Sequence, residues 1–105
     1  MLFRSVDAGT GVISRDGAYA GFLIAARRGG LEPHVEIEAV GVADAHHRSG
    51  IARALVANAI AAAYIAGFAE IRARVSSLNT ASMVLHTRLG FAPKYRRFIW
   101  QRDLA

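Results

Sequence analysis

The residues of this chain best suited to chemistry fall into two clusters. The first, His47-Arg48-Ser49-Gly50-Ile51-Ala52, stands where a polar turn becomes an alanine-rich helix. A helix start leaves backbone N–H groups without intrahelical partners, and the peptide dipoles add partial positive charge there. Arg48, Ser49 and Gly50 place a cation, a hydroxyl and a side-chain-free backbone at that point. Such a point holds a phosphate or pyrophosphate without a metal. The plainer alternative is a strand–turn–helix whose glycine only relieves crowding. In the second cluster, Asn79 to Phe91 (NTASMVLHTRLGF), Ser82, Leu85, His86 and Leu89 recur at i, i+3, i+4 and i+7 and share one helical face. A serine and a histidine on such a stripe need partners. A satisfied core histidine is the competing reading.

The elements that must carry these clusters follow from pattern. Leu2, Phe3 and Val6 are spaced like the last turns of a helix, with Gly9-Thr10-Gly11 as its stop. Val12-Ile13-Ser14 reads as a short strand, Arg15-Asp16-Gly17 as hairpin chemistry and Ala18 to Arg27 as the returning strand. A glycine-containing connection, Arg28 to Pro33, leads to a third antiparallel strand, Val35 to Val42. Ile51, Leu55, Ala59, Ala62 and Ala66 predict a helix over 51–66, stopped by Gly67. Glu70 to Ser76 alternates as a strand, Asn79 opens a helix that ends at Gly90, and Tyr95 to Arg102 reads as the final strand. The fold class is α/β of the α+β kind, a mixed sheet with helical crossovers.

With 105 residues the chain is long enough for one domain, 1–105, with a modest core. The absence of cysteine removes disulfides, thiol catalysis and cysteine-based zinc sites, and His, Asp and Glu show no metal-ligand spacing. No metal is expected. The apolar run in 51–66 contains Arg53 and Asn58 and is too short to span a bilayer, and Met1-Leu2-Phe3-Arg4 does not open a signal peptide. A cytoplasmic protein with no membrane partner is expected. The net charge of +5 favours anionic ligands. Nucleic acid is not the expected partner: Arg72, Arg74, Arg96 and Arg97 lack a stacking pattern, and Tyr95, Phe98 and Trp100 more economically fill a strand. A P-loop is excluded, since no Gly-Lys-Ser/Thr follows Gly41, and the dinucleotide fingerprint is missing.

His47 to Ala52 resembles the Q/R-x-x-G-x-G/A signature of the GNAT superfamily of acyl-CoA-dependent N-acyltransferases, with His47 in place of the usual Gln or Arg and Ala52 at the small position. Asn79, Ser82, His86 and Gly90-Phe91 resemble the second hallmark of the same family, with His86 where many members have an aromatic acid, tyrosine. The two motifs are ordered as in the family across Val35 to Phe91. The resemblance implies a mostly antiparallel mixed sheet flanked by two main helices, with acetyl-CoA as co-substrate. It places the pantetheine arm along Val40, Gly41 and Val42, and the pyrophosphate on the N–H groups of Arg48, Ser49, Gly50, Ile51 and Ala52, beside His47. Asn79 and Ser82 would adjoin the arm or hold the strands apart. It makes His86 the acid for the departing thiolate, since an imidazolium gives up a proton near neutral pH. Backbone N–H groups near Val40 would serve the oxyanion.

Glu36, eleven residues before His47, matches a glutamate that acts as base in some family members. By alternation Glu36 and Glu38 share a face with Val40 and Val42, and desolvation on a half-buried strand would suit a base for an ammonium. Solvent-facing residues, or partners of Arg72 and Arg74, are the other readings of these glutamates. His46 and His34 read as non-functional. Only about ten residues precede the hairpin, whereas family domains begin with a strand and two helices that wall the acceptor pocket. Apolar surface from Phe22, Ile24, Val35 and Ile37, or the opposite parity, would then need a cover. A homodimer, or a start site that has lost the native N-terminus, is expected. The leading reading is direct transfer of an acetyl group from acetyl-CoA to a primary amine on a small molecule or protein. The alternative is a non-catalytic acyl-CoA-binding or protein-interaction module.

Overall fold

A computed structural model describes residues 2–5, 10–15, 18–43, 50–76, 78–96 and 99–104. Seven strands form one sheet: β1 (Leu2–Ser5), β2 (Gly11–Arg15), β3 (Ala18–Arg28), β4 (His34–Val42), β5 (Glu70–Arg74), β6 (Ala92–Arg96) and β7 (Ile99–Asp103). Their spatial order is β1-β2-β3-β4-β5-β7-β6. Only the β4–β5 pair is parallel; the others are antiparallel. Helix α1 (Ile51–Ile65) makes the crossover between those two parallel strands, and α2 (Thr80–Arg88) links β5 to β6.

The core forms where α1 meets the sheet. Ile51, Leu55, Val56, Ala59 and Ala63 are buried on the helix, and they cluster with Leu23, Val35, Ile37, Ile71 and Ala73 from β3, β4 and β5. The helix is alanine-rich because a short side chain on the inner face lets it lie close to the strands. Gly21 serves the same approach from the other side, since a Cβ there would stand 2.8 Å from both the Gly41 carbonyl and Ile51 Cγ2. Asn79 caps α2, its Oδ1 accepting from the Ser82 N–H at 2.9 Å. No helix among the described residues is long and apolar enough to cross a membrane.

Three expectations change. The N-terminal residues form a strand, not a helix end: Leu2–Ser5 pairs with Gly11–Ser14, because four residues cannot repay helix nucleation whereas an open strand edge offers ready partners. The last strand is two, β6 and β7, with Pro93 on the outermost one, where its missing N–H costs nothing, and a register shift after it. The apolar faces also divide. Val35 and Ile37 are buried under α1, while Val12 and Ile24, on the other face, are 42% and 44% exposed. Arg15 pairs with Ala18 as a hairpin requires; Asp16 and Gly17, read as its turn, lie outside the described residues.

Candidate active site

The parallel pairing of β4 with β5 covers only Val35–Ile37 against Ile71–Ala73. Beyond Ile37 the two strands diverge, and a cleft of about 790 Å³ opens between them. Ile37, Glu38, Ala39, Val40 and Val42 line it from β4, and Ala73, Arg74 and Ser76 from the other arm. The β5-facing edge of Ala39 to Gly41 has no strand partner among the described residues. An extended ligand could lie along that edge as an added strand.

A bulge turns the outer half of β4. Ile24 pairs with Ala39 while Ala25 pairs with Ile37, so Glu38 is an extra residue in the ladder. Alternation is broken there: Val40, opposite Leu23, falls on the α1 side with Ile37, and Glu36 is left on the other face. The expected common face of Glu36, Glu38, Val40 and Val42 is therefore corrected. Glu38 lines the cleft and Glu36 does not. Both carboxylates are held by Arg28 across the β3–β4 pair, at 3.2 Å for Glu36 and 2.9 Å for Glu38. Gly41 has a steric reason of its own, because any Cβ there would collide with the ring of Phe22 on β3.

At the mouth of the cleft α1 begins with Gly50, whose φ of +83° lies in the left-handed region that favours glycine. Among the described residues no side chain caps this end, and a Cβ at Gly50 would meet none of them within 4 Å. The first intrahelical bond runs from Ala54 N–H to Gly50 O at 3.0 Å, which leaves the N–H groups of Ile51, Ala52 and Arg53 ahead of it. The first turn holds no acid, and Arg53, lining the cleft, makes no ion pair among the described residues. A cation at the positive end of a helix is unfavourable by a few tenths of a kcal/mol unless an anion joins it. The site residues of the sequence reading omit Arg53; its position in the first turn after Gly50 is the signal that finds it. His47, Arg48 and Ser49 lie outside the described residues.

On the far wall, α2 presents Asn79, Ser82 and His86. His86 is buried, its ring edge-to-face with Phe91 at 5.1 Å between centroids. Its Nδ1–H donates to the Ser82 carbonyl at 2.8 Å, with Ser82 Oγ 3.3 Å from the same nitrogen. Both contacts engage Nδ1, which makes Nε2 the acceptor nitrogen of a neutral ring. Burial pushes the His86 pKa below the ordinary 6.5, against a smaller opposing effect of the Ser82 carbonyl. The neutral ring is thus favoured over the imidazolium that an acid would need. An acyl-CoA fits this set of features: an unpaired strand edge suits an extended arm, and an uncapped helix start with Arg53 suits its phosphates.

A family model for acetyltransferases of the GNAT family matches residues 2–91. The chain belongs to the GNAT acetyltransferase family. Comparison with curated proteins gives no match. Among solved structures, the ribosomal-protein-S18-alanine N-acetyltransferase from Escherichia coli superposes with a TM-score of 0.80 at 22% identity, over 91% of this chain and 68% of that one. The NatC complex bound to Gag peptide and CoA gives 0.80 at 20% identity, over 91% and 70%. YncA, a putative acetyltransferase from Salmonella typhimurium with its cofactor acetyl-CoA, gives 0.74 at 26% identity, over 93% and 66%. Membership of the GNAT family supports acyl transfer as the general activity. Among the described residues no group of three or more His, Asp or Glu side chains is placed to hold a metal ion.

Proposed function

We propose that this protein moves an acetyl group from acetyl-CoA directly to a primary amine, on a small molecule or a protein. The observation that carries the reading is the strand split, with an uncapped helix start at one side and a neutral buried histidine at the other. Acetyl-CoA bound there supplies an activated thioester carbonyl. The backbone of Val40, Gly41 and Val42 holds its extended arm, and the N–H groups of Gly50, Ile51 and Ala52, with Arg53, receive its phosphates. By the resemblance, His47, Arg48 and Ser49 belong to the same cradle.

An attacking amine must shed two protons, one from the ammonium and one as the new bond forms. Glu38, at the cleft, takes the place first given to Glu36 and accepts the proton of the ammonium. His86 accepts the second at Nε2 and returns it to the departing sulfur, so that it works as a shuttle and not as a standing acid. Its Nδ1–H bond to the Ser82 carbonyl fixes the tautomer this needs.

The open sheet face, with Val12 and Ile24 exposed, favours a second copy of the chain as its cover, which sedimentation across protein concentrations would check. The same face also favours the second reading, a module that binds acyl-CoA or a partner protein without turnover. Calorimetric titration with acetyl-CoA, with dephospho-CoA and an oligonucleotide for comparison, followed by a screen of amines by mass, separates the two. Micromolar acetyl-CoA binding with an acetylated product supports the enzyme. Binding without product supports the module.

A further inference from the structure

We propose that Thr10 is a positioning residue for Glu38, acting through the backbone of β3; this rests on the reading of Glu38 as the group that receives the amine. The β2–β3 ladder ends at the pair Gly11 and Leu23. Just past that end, the Thr10 hydroxyl donates to the Ala25 carbonyl at 2.9 Å and accepts from the Ala25 N–H at 2.8 Å. One side-chain oxygen thus does what the backbone of a further β2 residue would do in a hydrogen-bonded pair.

Ala25 is also where the β3–β4 register shifts. Because Ala25 turns its N–H and C=O toward β2, its neighbours Ile24 and Ala26 turn theirs toward β4, where Glu38 is the extra residue. A bulge free to migrate by one position would exchange the faces of Glu38 and Ala39, since side chains alternate along a strand. Thr10 ties down the stretch of β3 on which that choice depends. With the bulge in this position Glu38 is among the residues that line the cleft, its Oε1 held 2.9 Å from Arg28. Nothing in the two sequence motifs points to Thr10, which lies far from both in the chain.

A double-mutant cycle tests the coupling. Thr10→Val keeps the shape and removes both hydrogen bonds, and Thr10→Ser keeps the hydroxyl. We expect Thr10→Val to lower kcat roughly tenfold, the scale of a misplaced reacting group, with acetyl-CoA affinity by calorimetry unchanged, which also reports that the fold persists. Thr10→Ser should restore kcat. In a Glu38→Gln background, Thr10→Val should cause no further loss. An equal loss in both backgrounds, no loss at all, or failure of the serine to restore kcat overturns the proposal. If Glu38→Gln alone leaves turnover intact, or the protein acetylates no amine, the reading of Glu38 fails instead. The ¹³C resonance of the Glu38 carboxyl then decides for Thr10: a displacement in Thr10→Val that is absent in Thr10→Ser supports the clamp, and an unmoved resonance overturns it.

Discussion

The two helices present their N-termini to the same cleft, yet they begin differently. Helix α2 has a side-chain cap: Asn79 Oδ1 accepts from the Ser82 N–H, one of the first-turn donors. Helix α1 starts on Gly50 with no side-chain cap among the described residues, no acid in its first turn and a cation, Arg53, where the dipole disfavours one. A helix start left unsatisfied at a cleft is an anion site in waiting, whereas a satisfied one is a scaffold that holds its side chains still. In the proposed reading, binding falls to the start of α1, and turnover and stability to α2.

The sharpest break of that division is His86→Phe. It should lower turnover by about a hundredfold, the scale of a lost proton-transfer group, and leave acetyl-CoA affinity within about twofold. The acid limb of the pH–rate profile in the wild type should fall below the ordinary histidine value, because the depressed pKa keeps Nε2 open as an acceptor to lower pH. That limb should vanish in the variant.

Gly50→Val tests the opposite side. Its added side chain meets none of the described residues, so the expected harm comes from forcing a β-branched residue to a φ of +83°, a strain of about 1–2 kcal/mol. Relaxation of that backbone moves the first-turn N–H groups, and acetyl-CoA affinity should fall about tenfold by calorimetry at little change in kcat. Arg53→Ala should weaken affinity by a smaller factor, about threefold, and reduce its salt dependence.

Asn79→Ala gives the comparison its control. Losing the cap should cost about 1 kcal/mol of stability by denaturant titration, with acetyl-CoA affinity changed less than in Gly50→Val. Equal effects of the two variants on affinity would erase the distinction between the helix starts. The smallest effect is a pH dependence of folding. His86 binds a proton less readily when folded, so its contribution to stability is complete above the unfolded value of 6.5 and is lost as pH falls through the depressed folded value. His86→Phe should flatten that acid dependence.

The helices were legible because their information is local. Apolar spacing located α1 and Gly67 its end, Asn79 was read as the opening of α2, and Ser82 and His86 were placed together by a four-residue spacing that the folded chain keeps. Less legible were features that depend on a neighbour. Leu2–Ser5 reads as a helix end until β2 offers it a partner. Glu36 looks equivalent to Glu38 under strict alternation, and only the β3–β4 register shows that the ladder skips a residue at Glu38.

The amino-acid sequence by itself determined the family of the fold, the order of the elements from β2 to α2 and the position of both helix starts, because periodicity, caps and turn chemistry act over a few neighbouring positions. The acceptor nitrogen of His86 is settled locally, by the Ser82 carbonyl one turn back in α2. Tertiary structure alone decided two things: which glutamate lines the cleft and which sheet face α1 covers. Both depend on pairing and burial between segments far apart in the chain: a strand register, and a helix laid close enough to need Gly21 beneath it.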